Sequence, residues 1–160
     1  MKKELLAILL GYFDTQKGIF DRIIKDIEAT QATDKEKTSH LAYLLHNLYC
    51  ALEELFQEVA KTFENRIEDP SRFHRELLKR MRLEIPNIRP KLLSEGCCFI
   101  LDEMRGFRHV FRHSYDYELS PARVEDLKNR VVAGWDKIQT DLKVFEDFLK
   151  ACISNFNERL

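Results

Sequence analysis

A chain of 160 residues, 44% hydrophobic and 33% charged, has the size and apolar content of one domain with a continuous core over residues 1–160. Its formal net charge of −1 excludes the broadly basic coat that drives non-specific nucleic-acid binding, so any RNA contact must use a local patch. The opening MKKELLAILL is interrupted by Glu4 and followed by no cleavage site, and no stretch reaches membrane-spanning length; a cytoplasmic protein without membrane contact is expected.

Glycine and proline are sparse, five and four, and sit where helices would start or stop, which favours an all-α fold. The first segment, Lys3 to Ala29, carries Leu5, Ile8, Leu9, Tyr12, Phe13, Ile19, Phe20, Ile23, Ile24 and Ile27 at amphipathic helix spacing. After a polar link, TQATDKEKTS, a long second helix is expected from about Ser39 to Asn65. The triplet DPS, with Asp69 as cap and Pro70 in the first turn, predicts a short third helix through Phe73, Leu77, Leu78 and Met81. Pro86 and Pro90 force a connector, a fourth helix runs from about Lys91 to Arg112, and Ser120-Pro121 opens a fifth that reaches about Phe156. The sum is an antiparallel bundle of four to five helices.

The four cysteines, Cys50, Cys97, Cys98 and Cys152, lack zinc-ligand spacing, so reduced and mostly buried thiols are expected, with no metal and no cofactor. Trp135 reads as a packing residue of the last helix. His40 and His74 read as isolated surface residues. His46 and Asn47, with Glu53 and Glu54, are polar positions of the second helix that fit a solvent face or a satisfied core histidine better than a cleft. Arg72, Arg75, Lys79, Arg80 and Arg82 make the third helix basic, which suits a solvated face, or a wider RNA-binding surface if it lies beside a site.

The stretch RGFRHVFRHSYDY, residues 105 to 117, stands out. On a projection at roughly 100° per residue, Ile100, Met104, Phe107, Val110 and Phe111 share a sector expected to face the core. Arg105, Arg108 and Arg112 fall opposite, with His109 and His113 beside them. A plain amphipathic helix would also place charges outward, but such faces are usually mixed in sign, and no acidic residue occurs from Arg105 to Tyr115.

Within the stretch, Arg108, His113 and Tyr115 follow the spacing R-x4-H-x-Y, whose chance expectation in a chain of this composition is about 0.01. This resembles the motif of HepT-type toxins in the HEPN superfamily of helical ribonucleases, and His109 matches the polar residue that commonly follows the arginine there. The resemblance covers approximately residues 40 to 135. It implies the toxin of a type VII-like toxin-antitoxin system: a metal-independent RNA endonuclease acting on tRNA or mRNA, with Arg108 and His113 catalytic and Arg105, His109 and Arg112 supporting the RNA. It further implies that an MntA-type nucleotidyltransferase antitoxin silences the enzyme by adenylylating Tyr115, with Tyr117 a second available hydroxyl, and that the toxin is a homodimer.

The chemistry is coherent on physical grounds. Histidine near neutral pH can take or give a proton, and arginine matches phosphate geometry without losing its charge. Five residues along an ideal helix rotate by about 140°, so Arg108 and His113 would meet at one phosphate only if the helix ended near Arg112 or two chains shared the site. Two other readings stay open: a non-catalytic helical module that uses the same basic helix end to bind a nucleotidyltransferase or another acidic partner, and a helical scaffold with no site.

Overall fold

A computed structural model of the protein describes residues 2–64, 73–114 and 118–158. Its helices are α1 (Lys3–Ala29), α2 (Lys35–Glu64), α3 (Phe73–Met81), α4 (Glu95–Arg112) and α5 (Pro121–Glu158). Among the described residues the only β feature is an isolated bridge between Ile85 and Arg89. The all-α bundle expected from glycine and proline placement is therefore what forms. The DPS start signal, Asp69 and Pro70 included, lies outside the described residues.

The helix boundaries follow local chemistry. α1 spans the residues its periodicity predicts, but Leu6, Leu9, Phe13, Phe20, Ile24 and Ile27 face the core, whereas Leu5, Ile8 and Tyr12 are exposed. Gln16 is the polar member of the buried face, and its amide donates to the Ala51 carbonyl at 2.9 Å. α2 begins at Lys35 rather than Ser39 because Asp34 acts as its cap, its Oδ1 accepting from the Lys37 N–H at 2.8 Å. α4 begins at Glu95 rather than Lys91: Asp141 of α5 accepts from both the N–H and the hydroxyl of Ser94, each at 2.8 Å, and so fixes where the helix starts.

α2 is the central helix and packs against each of the other four, while α5 lies along α1 and α4, and α3 covers α2 and α4. This is why α2 buries residues over so wide a sector, from Leu41 to Ala60. Trp135 packs as expected, edge-on to Phe20 at 5.9 Å between ring centroids, and Phe13 stacks on Phe145 at 5.8 Å. Gly134 brings α5 against α4: a side-chain carbon there would collide with Ile100 Cδ1.

The IPNIRP connector is held by an arginine whose side chain is completely buried. Asn87 takes the left-handed conformation, φ 64°, that lets the chain reverse. Arg89 then reaches back to the Glu64 carboxylate at the end of α2, with Nε 2.8 Å from Oε1. It also donates to the carbonyls of Leu83 and Arg80 at 3.0 Å and of Pro90 at 3.1 Å. One guanidinium thus satisfies a carboxylate and three main-chain acceptors.

Candidate functional site

On α4 the line Cys97, Leu101 and Met104 is buried, and Arg108 continues it one turn further. The expected placement of Arg108 opposite the core is therefore wrong. The projection centred the inward face on Ile100, Phe107, Val110 and Phe111, which are only partly buried at its flank, because α4 sits in a crevice between α2, α3 and α5 rather than against one neighbour. Arg108 is half-buried, and its Nε is sealed from solvent with no hydrogen-bond partner among the described residues.

Facing it is a polar stripe on α2. His46, Tyr49, Cys50 and Glu53 recur at i, i+3, i+4 and i+7, so they form one line along α2 beside its apolar buried residues. The His46 ring lies against Phe111 with centroids 4.9 Å apart, and its Nε2 is 3.6 Å from Cys50 Sγ. Burial, and then the charges of Arg108 and Arg112, hold the His46 pKa below its ordinary value against the opposing pull of Glu53. Burial and the Glu53 charge push Cys50 up, with Arg108 opposing them. Tyr49 is fully buried; its hydroxyl is sealed without meeting the geometry of a hydrogen bond, and burial together with the Glu53 charge keeps it firmly protonated.

Glu53 is buried and is held by His74 of α3, whose Nδ1 lies 2.7 Å from its Oε2. His74 is thus not the isolated surface residue its sequence context suggests, and Glu53 is not on a solvent face. The pair places one carboxylate under the arginines of α4. Arg105 makes its own pair with Asp102 at 2.8 Å, so the cationic stretch is partly compensated by an acid one turn before it. His40 is exposed, as expected, and Asn47 and Glu54 take no part in this seam.

The remaining motif residues point outward. His109 and Arg112 are exposed in the last turn of α4, where the negative end of the helix dipole favours them. His113 is the residue that caps the helix, exposed, with its N–H returning to the His109 carbonyl at 3.2 Å. Its ring lies 4.4 Å from that of His109. The helix therefore does end at Arg112, but within one chain Arg108 turns inward and His113 outward. Tyr115 and Tyr117 lie outside the described residues.

Cys97 and Cys98 are buried, and burial raises both thiols to about 11. Cys50 and Cys152 are half-buried. Among the described residues no group of three or more histidine, cysteine or acidic side chains is placed to hold a metal, and no helix is long and apolar enough to cross a membrane.

The five helices form an all-α bundle of the HEPN-like kind. A family profile described as HepT-like protein matches residues 40–149, and the chain belongs to that family, whose members are toxin-like HEPN modules. The match starts in α2 and leaves α1 outside. Neither a curated protein nor a solved structure matches the chain.

Proposed function

We propose that this chain is the toxin of a toxin-antitoxin pair and cleaves RNA without a metal, as a homodimer in which two α4 ends face one another. The observation that carries this reading is the division of labour at the end of α4. A guanidinium is seated inward on a polar stripe, and the residue whose backbone caps the same helix carries an exposed imidazole, one helical face away. Two copies related by a two-fold axis bring the arginine of one chain and the histidine of the other toward one phosphodiester.

In the proposed reaction His113 takes the proton from a ribose 2′-OH, the 2′-oxygen attacks phosphorus, and the bond to the 5′-oxygen breaks. A protonated His113 of the partner subunit delivers the proton to the leaving oxygen, giving a 2′,3′-cyclic phosphate and a free 5′-hydroxyl. Arg108 binds the non-bridging oxygens as charge builds on them, and the buried setting beneath it strengthens that interaction. Arg105, His109 and Arg112 hold the flanking backbone. Tyr115 is the site at which an MntA-type nucleotidyltransferase attaches AMP, adding bulk and negative charge where an anionic backbone must enter.

The test is RNA degradation in EDTA, together with growth of bacteria expressing the chain. Wild type cleaves and arrests growth, whereas Arg108→Ala and His113→Ala do neither. Equal behaviour of all three rejects catalysis and leaves the binding-module reading. A strict monomer at micromolar concentration rejects the shared site. Intact mass after co-expression with the nucleotidyltransferase should rise by one or more AMP units that are lost in Tyr115→Phe.

A further inference from the structure

The cations of α3 do not form a uniformly solvated face. Arg80 turns toward Glu64, whereas Arg75, Lys79 and Arg82 recur at i, i+4 and i+7 and line one wall of a cleft of about 490 Å³ between α3 and α4. The opposite wall is a stripe of α4 at the same spacing, Glu95, Phe99 and Asp102, and the floor is the buried Leu78. Phe99 is 63% exposed, the most exposed phenylalanine in the described core and its surroundings, and it stands at the mouth of the cleft. None of the three cations makes an ion pair with a described carboxylate.

The geometry points to a binding groove for the single-stranded RNA that flanks the cleaved bond, with phosphates on the α3 wall and a base stacked on Phe99. Three features select this occupant. The volume lies within the roughly 300–1,000 Å³ range of pockets that enclose a small organic group such as a nucleotide. An exposed aromatic face beside cations is the arrangement that holds unpaired bases and their backbone without sequence preference. Glu95 stands on the wall opposite the cations and repels phosphate toward α3, while Asp102, paired with Arg105, keeps a second oxygen as an acceptor for a base amino group beside Phe99.

Continuity with the motif is the further argument. Glu95, Phe99, Asp102, Gly106, His109 and His113 lie along one face of α4, so the cleft opens in line with the His109 and His113 rings. At 1.5 Å per residue, Phe99 is about 21 Å from His113, a span of several nucleotides. This inference rests on the ribonuclease reading for its occupant, but it assigns a separate surface that the motif does not contain.

The test measures RNA binding apart from cleavage. In a His113→Ala background, a short labelled unstructured RNA is titrated by fluorescence anisotropy at several salt concentrations. Phe99→Ala is expected to weaken binding about tenfold. Arg75→Gln/Lys79→Gln/Arg82→Gln is expected to flatten the salt dependence by about 0.7 per lost phosphate contact, roughly 2 in all. Matching urea midpoints confirm that these exposed substitutions leave the fold intact. Unchanged affinity and salt slope in both variants overturn the groove, as does a Phe99→Ala effect confined to self-association, which would assign the face to a second copy of the chain. Wild-type cleavage in EDTA is scored in parallel. If it is seen and the groove variants cleave long and short RNA alike, the groove alone fails; if it is absent, the ribonuclease reading fails, and the anisotropy data still decide whether the groove holds RNA.

Discussion

Replacing Arg89 with methionine tests whether the buried arginine secures the connector that delivers α4. The side chain is fully buried and holds Glu64, whose own side chain is 10% exposed, as well as three main-chain carbonyls. Methionine keeps much of the volume but removes every donor. Among the described residues Glu64 then retains Arg80, at a longer 3.4 Å. Stranding one member of a buried ion pair costs about 3–5 kcal/mol, and the three carbonyls left without a donor put this case in the upper half of that range. With a urea slope of about 2 kcal/mol/M, the unfolding midpoint should fall by roughly 2–2.5 M. In a chain of this size the melting temperature should drop by about 8–20 °C. Glu64→Gln keeps an acceptor for the guanidinium and should cost less, about 1–2 kcal/mol. The double change to two methionines should recover part of the loss, because no lone buried charge remains. A shift under about 1 kcal/mol for Arg89→Met with an unchanged slope would show that water or neighbouring groups take over the role of the guanidinium, and would refute the reasoning.

Three further outcomes are expected. The His46 pKa is depressed in the folded protein, so the unfolded chain binds the proton more readily; the stability tied to this residue is fully present above the unfolded value near 6.5 and is lost as pH falls below it. Urea midpoints between pH 7.5 and 5 should therefore fall less in His46→Gln than in wild type, and parallel curves would reject the assignment. Asp141→Ala removes the acceptor for both Ser94 donors at the start of α4 and should cost about 1–2 kcal/mol in the same assay, with Asp141→Asn intermediate. Cys97 and Cys98, held protonated by burial, should resist a thiol reagent at pH 8 until urea unfolds the chain; labelling of either at the rate of a free thiol would contradict their environment.

The helices were legible because their signals are local. The period of α1 predicts Lys3–Ala29, and Ser120-Pro121 predicts the start of α5, since caps and prolines act within a turn of themselves. Boundaries shifted where a partner decides them: α4 starts at Glu95 because Asp141, 47 residues away, satisfies Ser94. The spacing of Arg108 and His113 was visible, but the direction of Arg108 was not, because a projection weighted by apolar residues assumes a single packing neighbour. The α2 stripe was half legible. His46 and Glu53 read as polar positions, yet Tyr49 and Cys50 between them complete the i, i+3, i+4, i+7 line that marks a polar seam inside a central helix. His74 and Arg89 gave no local sign, since their partners Glu53 and Glu64 stand 21 and 25 residues away.

The Ser94 end of α4 and its His113 end are secured very differently. One is clamped by Asp141 and follows the Arg89 connector, while the other carries the exposed His109, Arg112 and His113. Eighteen residues make the helix a lever about 27 Å long, so a tilt of about 4° at the clamped end carries its tip by roughly 2 Å. Displacements of that size at a reacting group alter rates by orders of magnitude. Substitutions at Asp141, or at Gly134 where α5 touches Ile100, therefore shift the far tip of α4 without touching the motif, and under the proposed reaction they would change its rate.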